Sequence, residues 1–132
     1  MANIGERYVD INRIQREFLD AQRNFSYLEL HPTVDGKVFV KTALQASNQM
    51  YILSIRFSDN YPHEMPRVFV DAPVITTAPH RYQNGHICYL HPTMWNPGIH
   101  NISFVIARAA KWLNKYEIWK RQGQWPGAEI RH

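Results

Sequence analysis

Apolar residues recur at helical spacing in two segments, one near each end of the chain. In the first segment, about residues 6–22, the residues that share one helical face are Tyr8, Ile11, Ile14, Phe18 and Ala21. In the second, about residues 101–121, they are Ile102, Val105, Ala109, Leu113 and Tyr116. Asn101 is a suitable N-cap for the second helix, and Gly123 follows its end. The pattern therefore predicts two amphipathic helices.

Four strand-like runs lie between these helices, at residues 25–30, 37–45, 49–58 and 67–71. The third run alternates most regularly, because Tyr51, Leu53 and Ile55 are separated by single residues that face the other way. The short gaps between the runs favour an antiparallel meander. We therefore predict one α+β domain over residues 1–132, with an N-terminal helix, a four-stranded antiparallel meander, a long loop and a C-terminal helix, the helices covering one face of the sheet.

Residues 72–100 have little periodicity and are rich in proline and glycine. A loop of this length is uncommon inside a compact domain and is often functional. The only cysteine of the chain, Cys88, lies in it. This segment is where we expect the chemistry.

Composition excludes several classes of protein. The chain has 132 residues, of which 45% are hydrophobic and 20% charged, and this excludes a disordered or collagen-like protein. The net charge of +4 comes from scattered basic residues, which favours a solvated surface over a nucleic-acid site. With no long apolar run, no leading secretion signal and one cysteine, we expect a cytoplasmic protein without membrane contact or an internal disulfide.

Cys88 has three histidines within eight residues, namely His80, His86 and His91. Three interpretations are open from these residues. Cys88 is a small buried apolar residue, or a nucleophile whose thiolate form a nearby histidine favours, or part of a zinc site with the histidines. The spacing lacks a paired-cysteine motif, and no glutamate flanks the histidines as a general base, so we predict neither a metal nor another cofactor.

Taken in order, several motifs resemble the ubiquitin-conjugating enzyme family over about residues 6–121. After a strand comes Tyr61-Pro62-x-x-x-Pro66, then Asn84-Gly85-His86-Ile87-Cys88-Tyr89-Leu90, then Trp95-x-Pro97, then an amphipathic helix. The family has this order of elements and carries its catalytic cysteine in a similar Gly-x-Ile-Cys-x-Leu context. A tryptophan follows that cysteine by seven or eight residues, and the interval from Cys88 to Trp95 is seven.

Two departures from the eukaryotic enzymes point to a bacterial branch of the family. Where those enzymes carry His-Pro-Asn, this chain has Ala78-Pro79-His80, so His80 occupies the position of the asparagine. The sequence also ends soon after its second major helix. Both features resemble the short conjugating-enzyme component of CBASS antiphage operons. The resemblance implies a protein partner that forms a thioester through its C-terminus, either a cGAS-like nucleotidyltransferase or a bacterial ubiquitin-like modifier.

The resemblance also implies roles for individual residues. Cys88 would carry the thioester, and His80 would support the oxyanion or accept a proton from the attacking amine. We expect Trp95 to serve the core beneath the active loop and Asn84 to shape the turn before Gly85. The residues expected to support the site are Asn84, Gly85, His86 and Trp95.

Related enzymes meet their partners at the end of the domain that holds the first helix. By that resemblance we expect a docking surface there, formed by Arg13, Arg16, Tyr61, Pro62 and Met65. The alternative for the two arginines is an ordinary solvated surface. Two rival functions also stay open, a non-catalytic binding module built on the same fold and a zinc hydrolase.

Overall fold

A computed structural model describes residues 10–127. The elements are α1 (Ile11–Ala21), β1 (Leu28–Pro32), β2 (Val38–Ala46), β3 (Gln49–Arg56), β4 (Arg67–Ala72), a short 3₁₀ turn (Pro92–Met94) and α2 (Ile102–Gln122). The four strands form one antiparallel sheet in the order β1-β2-β3-β4. The predicted element order and the predicted meander are confirmed.

The ends of the helices follow from their caps. Asp10 is the N-cap of α1, and its side chain accepts a hydrogen bond from the Arg13 backbone N at 3.0 Å. The helix therefore begins at Ile11, and residues 6–9 of the predicted helix, including Tyr8, lie outside the described residues. Asn101 caps α2 as predicted, by accepting from the Phe104 backbone N at 2.9 Å.

The predicted start of β1 is wrong by three residues. The backbone N of Phe25 donates to the Ala21 carbonyl at 3.0 Å, so the chain is still turning out of α1 where a strand was predicted. The strand runs instead from Leu28 to Pro32. β1 is the edge of the sheet, where a proline costs no hydrogen bond to a second neighbour. The starts of β3 and β4 match the prediction, and the other strand ends differ from it by one or two residues.

The core lies between one face of the sheet and the two helices. Fully buried side chains from the strands include Val40, Leu53 and Ile55, and those from the helices include Ile14 and Leu113. Burial of a Leu, Ile or Val side chain contributes about 1.5–3 kcal/mol, so this apolar layer holds the helices against the sheet.

Hydrogen bonds join the loop that follows β4 to β4 itself and to the residue before it. The Ile87 backbone N donates to the Val68 carbonyl at 2.9 Å, and the Tyr89 hydroxyl donates to the Pro66 carbonyl at 2.6 Å. Within the loop, the Gly85 backbone N donates to the Tyr82 carbonyl at 2.9 Å. These bonds fix the position of Cys88 relative to β4.

Within residues 10–127, neither helix is long and apolar enough to cross a lipid bilayer.

Candidate active site

Cys88 is buried, with 8% of its surface exposed, on the return side of a tight loop. Its backbone N donates to the His80 carbonyl at 2.7 Å, which closes the loop at its base. Its thiol donates to the Leu90 carbonyl at 3.6 Å, and the Tyr82 hydroxyl donates to Sγ at 3.5 Å. The sulfur is therefore held by residues on both sides of it in the chain.

A small cleft of about 50 Å³ opens beside Cys88. The loop contributes His80, Cys88 and His91 to its wall, and the facing residues of α2 are Arg108, Lys111, Trp112 and Lys115. Trp125, from the segment that follows α2, closes a further side. We call this the Cys88 cleft.

Burial and the polar groups around the Cys88 thiol have opposite effects on its pKa. Burial raises the pKa of Cys88 above its ordinary value, while the hydrogen bond from Tyr82, a backbone hydrogen bond with Leu90 and the positive charge of Arg108 act to lower it. Burial also raises the pKa of Tyr82 to about 12, so its hydroxyl keeps the proton it donates. Arg108 is held in place because its Nε donates to the Tyr89 carbonyl at 2.9 Å. Arg108 is thus a cation that favours the thiolate, and the help of a nearby histidine stays a prediction.

His80 lies in the Cys88 cleft in a constrained conformation. Its φ is 55°, in the left-handed region that residues other than glycine rarely adopt. Its carbonyl accepts from both the Cys88 backbone N and Trp112 Nε1, the latter at 3.1 Å. Its ring centroid lies 5.1 Å from that of Trp125. His80 and Cys88 are therefore neighbours, as the sequence motif predicted, and the catalytic role of His80 stays a prediction.

Three of the residues expected to support the site, Asn84, Gly85 and His86, form the turn that follows Tyr82. Gly85 has φ 104°, which explains the glycine at this position, and Asn84 is exposed beside it. The ring of His86 stacks on Tyr82 with centroids 4.3 Å apart. Burial, with a smaller contribution from the charge of Arg67, lowers the pKa of His86. His86 supports the tyrosine that contacts the thiol.

Trp95 packs against the core, as expected, and does not line the Cys88 cleft. Its Nε1 donates to the Pro62 carbonyl at 2.8 Å, and its ring centroid is 6.3 Å from that of Tyr61. The side chain is half-buried and packs on the core. Trp95 therefore joins the Tyr61–Pro62 turn to the segment that precedes α2.

The predicted docking surface on α1 is corrected at one position, Tyr61. Arg13 Nε pairs with Glu17 Oε2 at 2.5 Å, and its Nη2 donates to the Pro97 carbonyl at 2.6 Å. Tyr61 is 2% exposed, and its hydroxyl donates to Glu17 Oε1 at 2.6 Å. Glu17 Oε1 also accepts from the Ile102 backbone N at 2.9 Å. We call Arg13, Glu17 and Tyr61 the α1 clamp, because they join α1 to the start of α2.

Tyr61 is thus buried and does not present its side chain to a partner. Arg13 is bound within the chain but its side chain stays 24% exposed. Arg16 is exposed, and Pro62 and Met65 are half-buried. A docking surface formed by these four residues stays a prediction.

The sequence analysis missed the basic wall of the Cys88 cleft. Arg108, Lys111 and Lys115 are separated by three and four residues, so they share one face of α2. The sequence contains that spacing, but the even spread of basic residues along the whole chain gives no reason to single these three out. Trp125 gave no such signal, because it reaches the cleft only after Gly123 ends the helix with φ 80°.

Among the described residues, no three His, Cys, Asp or Glu side chains come together closely enough to hold a metal ion. The zinc hydrolase considered from the sequence therefore gains no support from the geometry.

The chain is similar to known proteins in three comparisons, of its sequence, of its fold and with a family profile. The chain is 32% identical over 90 residues to "Probable ubiquitin-conjugating enzyme E2 17" of Arabidopsis thaliana, which covers 64% of this chain and 55% of that protein. It is 30% identical over 95 residues to "Ubiquitin-conjugating enzyme 15" of the same plant, covering 67% and 58%. The chain thus spans little more than half the length of these relatives.

Solved structures share the fold at low sequence identity. "A complex of the Vps23 UEV with ubiquitin" matches with TM-score 0.60 and 17% identity, over 86% of this chain and 89% of that one. "Crystal structure of the yeast vps23 UEV domain in complex with a vps27 PSDP peptide" matches with TM-score 0.58 and 14% identity, over 96% and 88%. These likenesses confirm the UBC-like fold.

The family comparison covers nearly all of the described residues. A profile described as "Type II CBASS E2 protein" matches residues 15–132, which include α1 from its second turn, the whole sheet, the loop with Cys88 and α2. With the ubiquitin-conjugating relatives, this match supports a conjugating-enzyme-like role. The chain belongs to the family of type II CBASS E2 proteins.

Proposed function

We propose that this protein is a ubiquitin-conjugating-like transferase that carries the C-terminus of another protein as a thioester on Cys88 and passes it to an amine. The observation that carries the proposal is the arrangement of Cys88, His80 and Arg108 around one cleft in a chain of the E2-CBASS family. A thiol held between a hydrogen-bond donor and a cation is suited to exchange, because the thiolate is the attacking species.

The first step is an exchange between thiols. The Cys88 thiolate attacks the carbonyl carbon of an activated C-terminus, such as a thioester on an activating partner. A carbon–sulfur bond to Cys88 forms, the bond to the first thiol breaks, and that thiol departs and takes up a proton. Arg108 assists by stabilising the thiolate against the cost of burial.

The second step transfers the acyl group to nitrogen. An amine attacks the thioester carbonyl, a carbon–nitrogen bond forms, and the Cys88 sulfur leaves as a thiolate that is reprotonated. The negative charge that develops on the carbonyl oxygen needs a donor, and the amine must lose a proton. His80 borders the same cleft and has the chemistry for either task.

The substrate that family membership favours is the C-terminus of a cGAS-like nucleotidyltransferase, in bacterial antiphage defence. A bacterial ubiquitin-like modifier is the alternative protein donor. In both cases the transferred group is a protein C-terminus, so the chemistry at Cys88 is the same. The protein would act in the cytoplasm with a protein partner, without nucleic acid.

A non-catalytic binding module is the second candidate function, and the burial of the thiol favours it. Burial raises the pKa of Cys88, which lowers the thiolate fraction at neutral pH. The similar solved structures are complexes as well, one with ubiquitin and one with a peptide. A binding module would associate with its partner without a covalent bond.

Expression of the chain together with the products of its neighbouring genes separates these candidates. We expect intact-mass analysis to find an adduct of the mass of one partner protein, and we expect Cys88→Ala to abolish it while the variant keeps its melting temperature. Retention of the adduct in Cys88→Ala would refute the proposal. Noncovalent co-purification alone would favour the binding module.

A further inference from the structure

Three cations line the Cys88 cleft, and no described residue adds a carboxylate to its wall. Arg108, Lys111 and Lys115 come from one face of α2. Elsewhere basic side chains do pair, as Lys120 does with Glu117 at 3.1 Å and Lys37 with Asp59 at 2.8 Å. Between residues 10 and 127, no carboxylate forms an ion pair with any of the three cleft cations.

The positive charges act on one another. Burial lowers the pKa of Lys115, and the charges of Lys111 and Arg108 lower it further. A bound anion would relieve this repulsion between like charges. Trp112 and Trp125 form apolar walls of the same cleft, and apolar walls strengthen an electrostatic contact because they exclude water.

The volume of the cleft limits the size of the group that can bind inside it. A buried water needs at least about 10–15 Å³ of such space, so a cleft of about 50 Å³ has room for only a few non-hydrogen atoms. A carboxylate has three such atoms, whereas a nucleotide has a phosphate, a sugar and a base. The volume therefore favours an acidic side chain over a nucleotide.

We propose that Arg108, Lys111 and Lys115 form an anion subsite that binds an acidic side chain of the donor tail, close to the carbonyl that is loaded on Cys88. This inference rests on the proposed function. It adds that the protein accepts donor tails with an acidic residue near the C-terminus. Since the cations and the thiol border one small cleft, the acidic residue must lie within a few residues of the C-terminus. The subsite would select among donor tails by charge.

Peptide binding to the Cys88→Ala variant of the full chain tests the subsite without the chemistry. The probes are short peptide amides that end in Gly-Gly and carry Glu at the preceding position, with Gln there in the matched peptide. We expect calorimetry at low ionic strength to give at least about fivefold tighter binding of the Glu peptide. At about 1 M salt, where the Debye length is about 3 Å, the preference should shrink.

Charge reversal identifies the cations responsible. In the Cys88→Ala background, we expect Lys111→Glu with Lys115→Glu to remove the preference for the Glu peptide. Arg23→Glu with Arg121→Glu changes the net charge equally at two exposed positions outside the Cys88 cleft and serves as the matched control, which should keep the preference.

Equal affinity for the two peptides, or no binding of either, would overturn the inference. Displacement of the Glu peptide by inorganic phosphate at an equal or lower concentration would also overturn it, and would identify a phosphate site instead. Failure of the proposed function appears separately, as the absence of a Cys88 adduct on the wild-type chain, because the binding measurement uses a protein without the thiol.

Discussion

The α1 clamp and the Cys88 cleft both hold basic and aromatic side chains. Among the described residues, only the clamp supplies a carboxylate to bind them. In the clamp, Arg13 and Tyr61 both bind Glu17, so the polar groups satisfy one another. In the cleft, Arg108 and Lys111 have no carboxylate partner among the described residues and border a cavity that contains a thiol. Residue type alone does not separate a structural arginine from a functional one. What separates them is whether the fold supplies a counter-charge.

The largest effect should come from breaking the clamp. Glu17→Ala removes the acceptor of Tyr61 and of the Ile102 backbone N, and leaves Arg13 without its carboxylate. We expect a loss of about 3 kcal/mol in the free energy of unfolding, because two hydrogen bonds to a charged carboxylate are lost and a part-buried ion pair is broken. Urea denaturation measures it.

Glu17→Gln is the matched control for the clamp. The amide keeps one oxygen as an acceptor and loses the charge, so it should cost clearly less than Glu17→Ala. At temperatures where both variants are folded, Cys88 should form its adduct at the wild-type rate. A loss of adduct formation without a loss of stability would mean that the clamp is part of the functional site.

At the cleft, His80→Ala should affect activity more than stability. Removal of one oxyanion donor in other enzymes costs on the order of a hundredfold, so we expect discharge of the thioester to an amine to slow by about that factor. Formation of the thioester should stay within about tenfold. Single-turnover measurement of both steps gives the two rates.

His80→Asn then distinguishes donation from proton acceptance. The amide can donate a hydrogen bond but cannot accept a proton at neutral pH, so recovery of part of the lost rate indicates a donor. Equal slowing of both steps in His80→Ala would contradict a role in discharge, and would indicate that His80 holds the loop through its carbonyl bonds to Cys88 and Trp112.

A smaller effect concerns the pH dependence of the thiol. Because burial raises the pKa of Cys88, alkylation of the folded protein should reach half its maximal rate at a higher pH than alkylation of the unfolded chain. Arg108→Gln and Tyr82→Phe each remove an interaction that favours the thiolate, so each should move this midpoint further upward. The rate at neutral pH should fall by less than about tenfold.

Arg121→Gln removes a charge from the exposed end of α2 and is the control for Arg108→Gln. Its alkylation profile should match that of the wild type. A midpoint for the wild-type protein below that of the unfolded chain would contradict the balance of burial over charge described for Cys88.

The smallest effect is expected for the exposed part of the predicted docking surface. Arg16→Glu should slow adduct formation with a protein donor by a few fold at low salt, and less at high salt, because surface charges are screened. The folding stability should change by less than about 0.5 kcal/mol. Unchanged rates at every salt concentration would identify Arg16 as an ordinary solvated residue.

The sequence predicted the fold well where periodicity was strong. The alternation around Leu53 and the stripe of α2 located β3 and the second helix to within two residues. The start of β1 was missed because the aromatic residues Phe25 and Tyr27 suggest a strand, whereas the backbone N of Phe25 bonds to the end of α1. A hydrogen bond of this kind leaves no periodic signal.

The site was predicted in part, and contacts between distant segments explain why the role of Arg13 was not. The motif around Cys88 brought His80 to the correct place because both residues lie in one loop of the family pattern. The role of Arg13 was missed because its partners include the Pro97 carbonyl, 84 positions away. Contacts between distant segments decide which polar groups are satisfied, and a single sequence does not contain them.

The central claim is that the bond to Cys88 is a thioester, and its chemical lability tests this most directly. The adduct on the wild-type chain should be released by excess small thiol at neutral pH, because thiols exchange with thioesters. The adduct on Cys88→Ser, an oxygen ester, should survive the thiol and be released by alkali. An adduct on the wild-type chain that survives both treatments would be an amide, and would contradict the account.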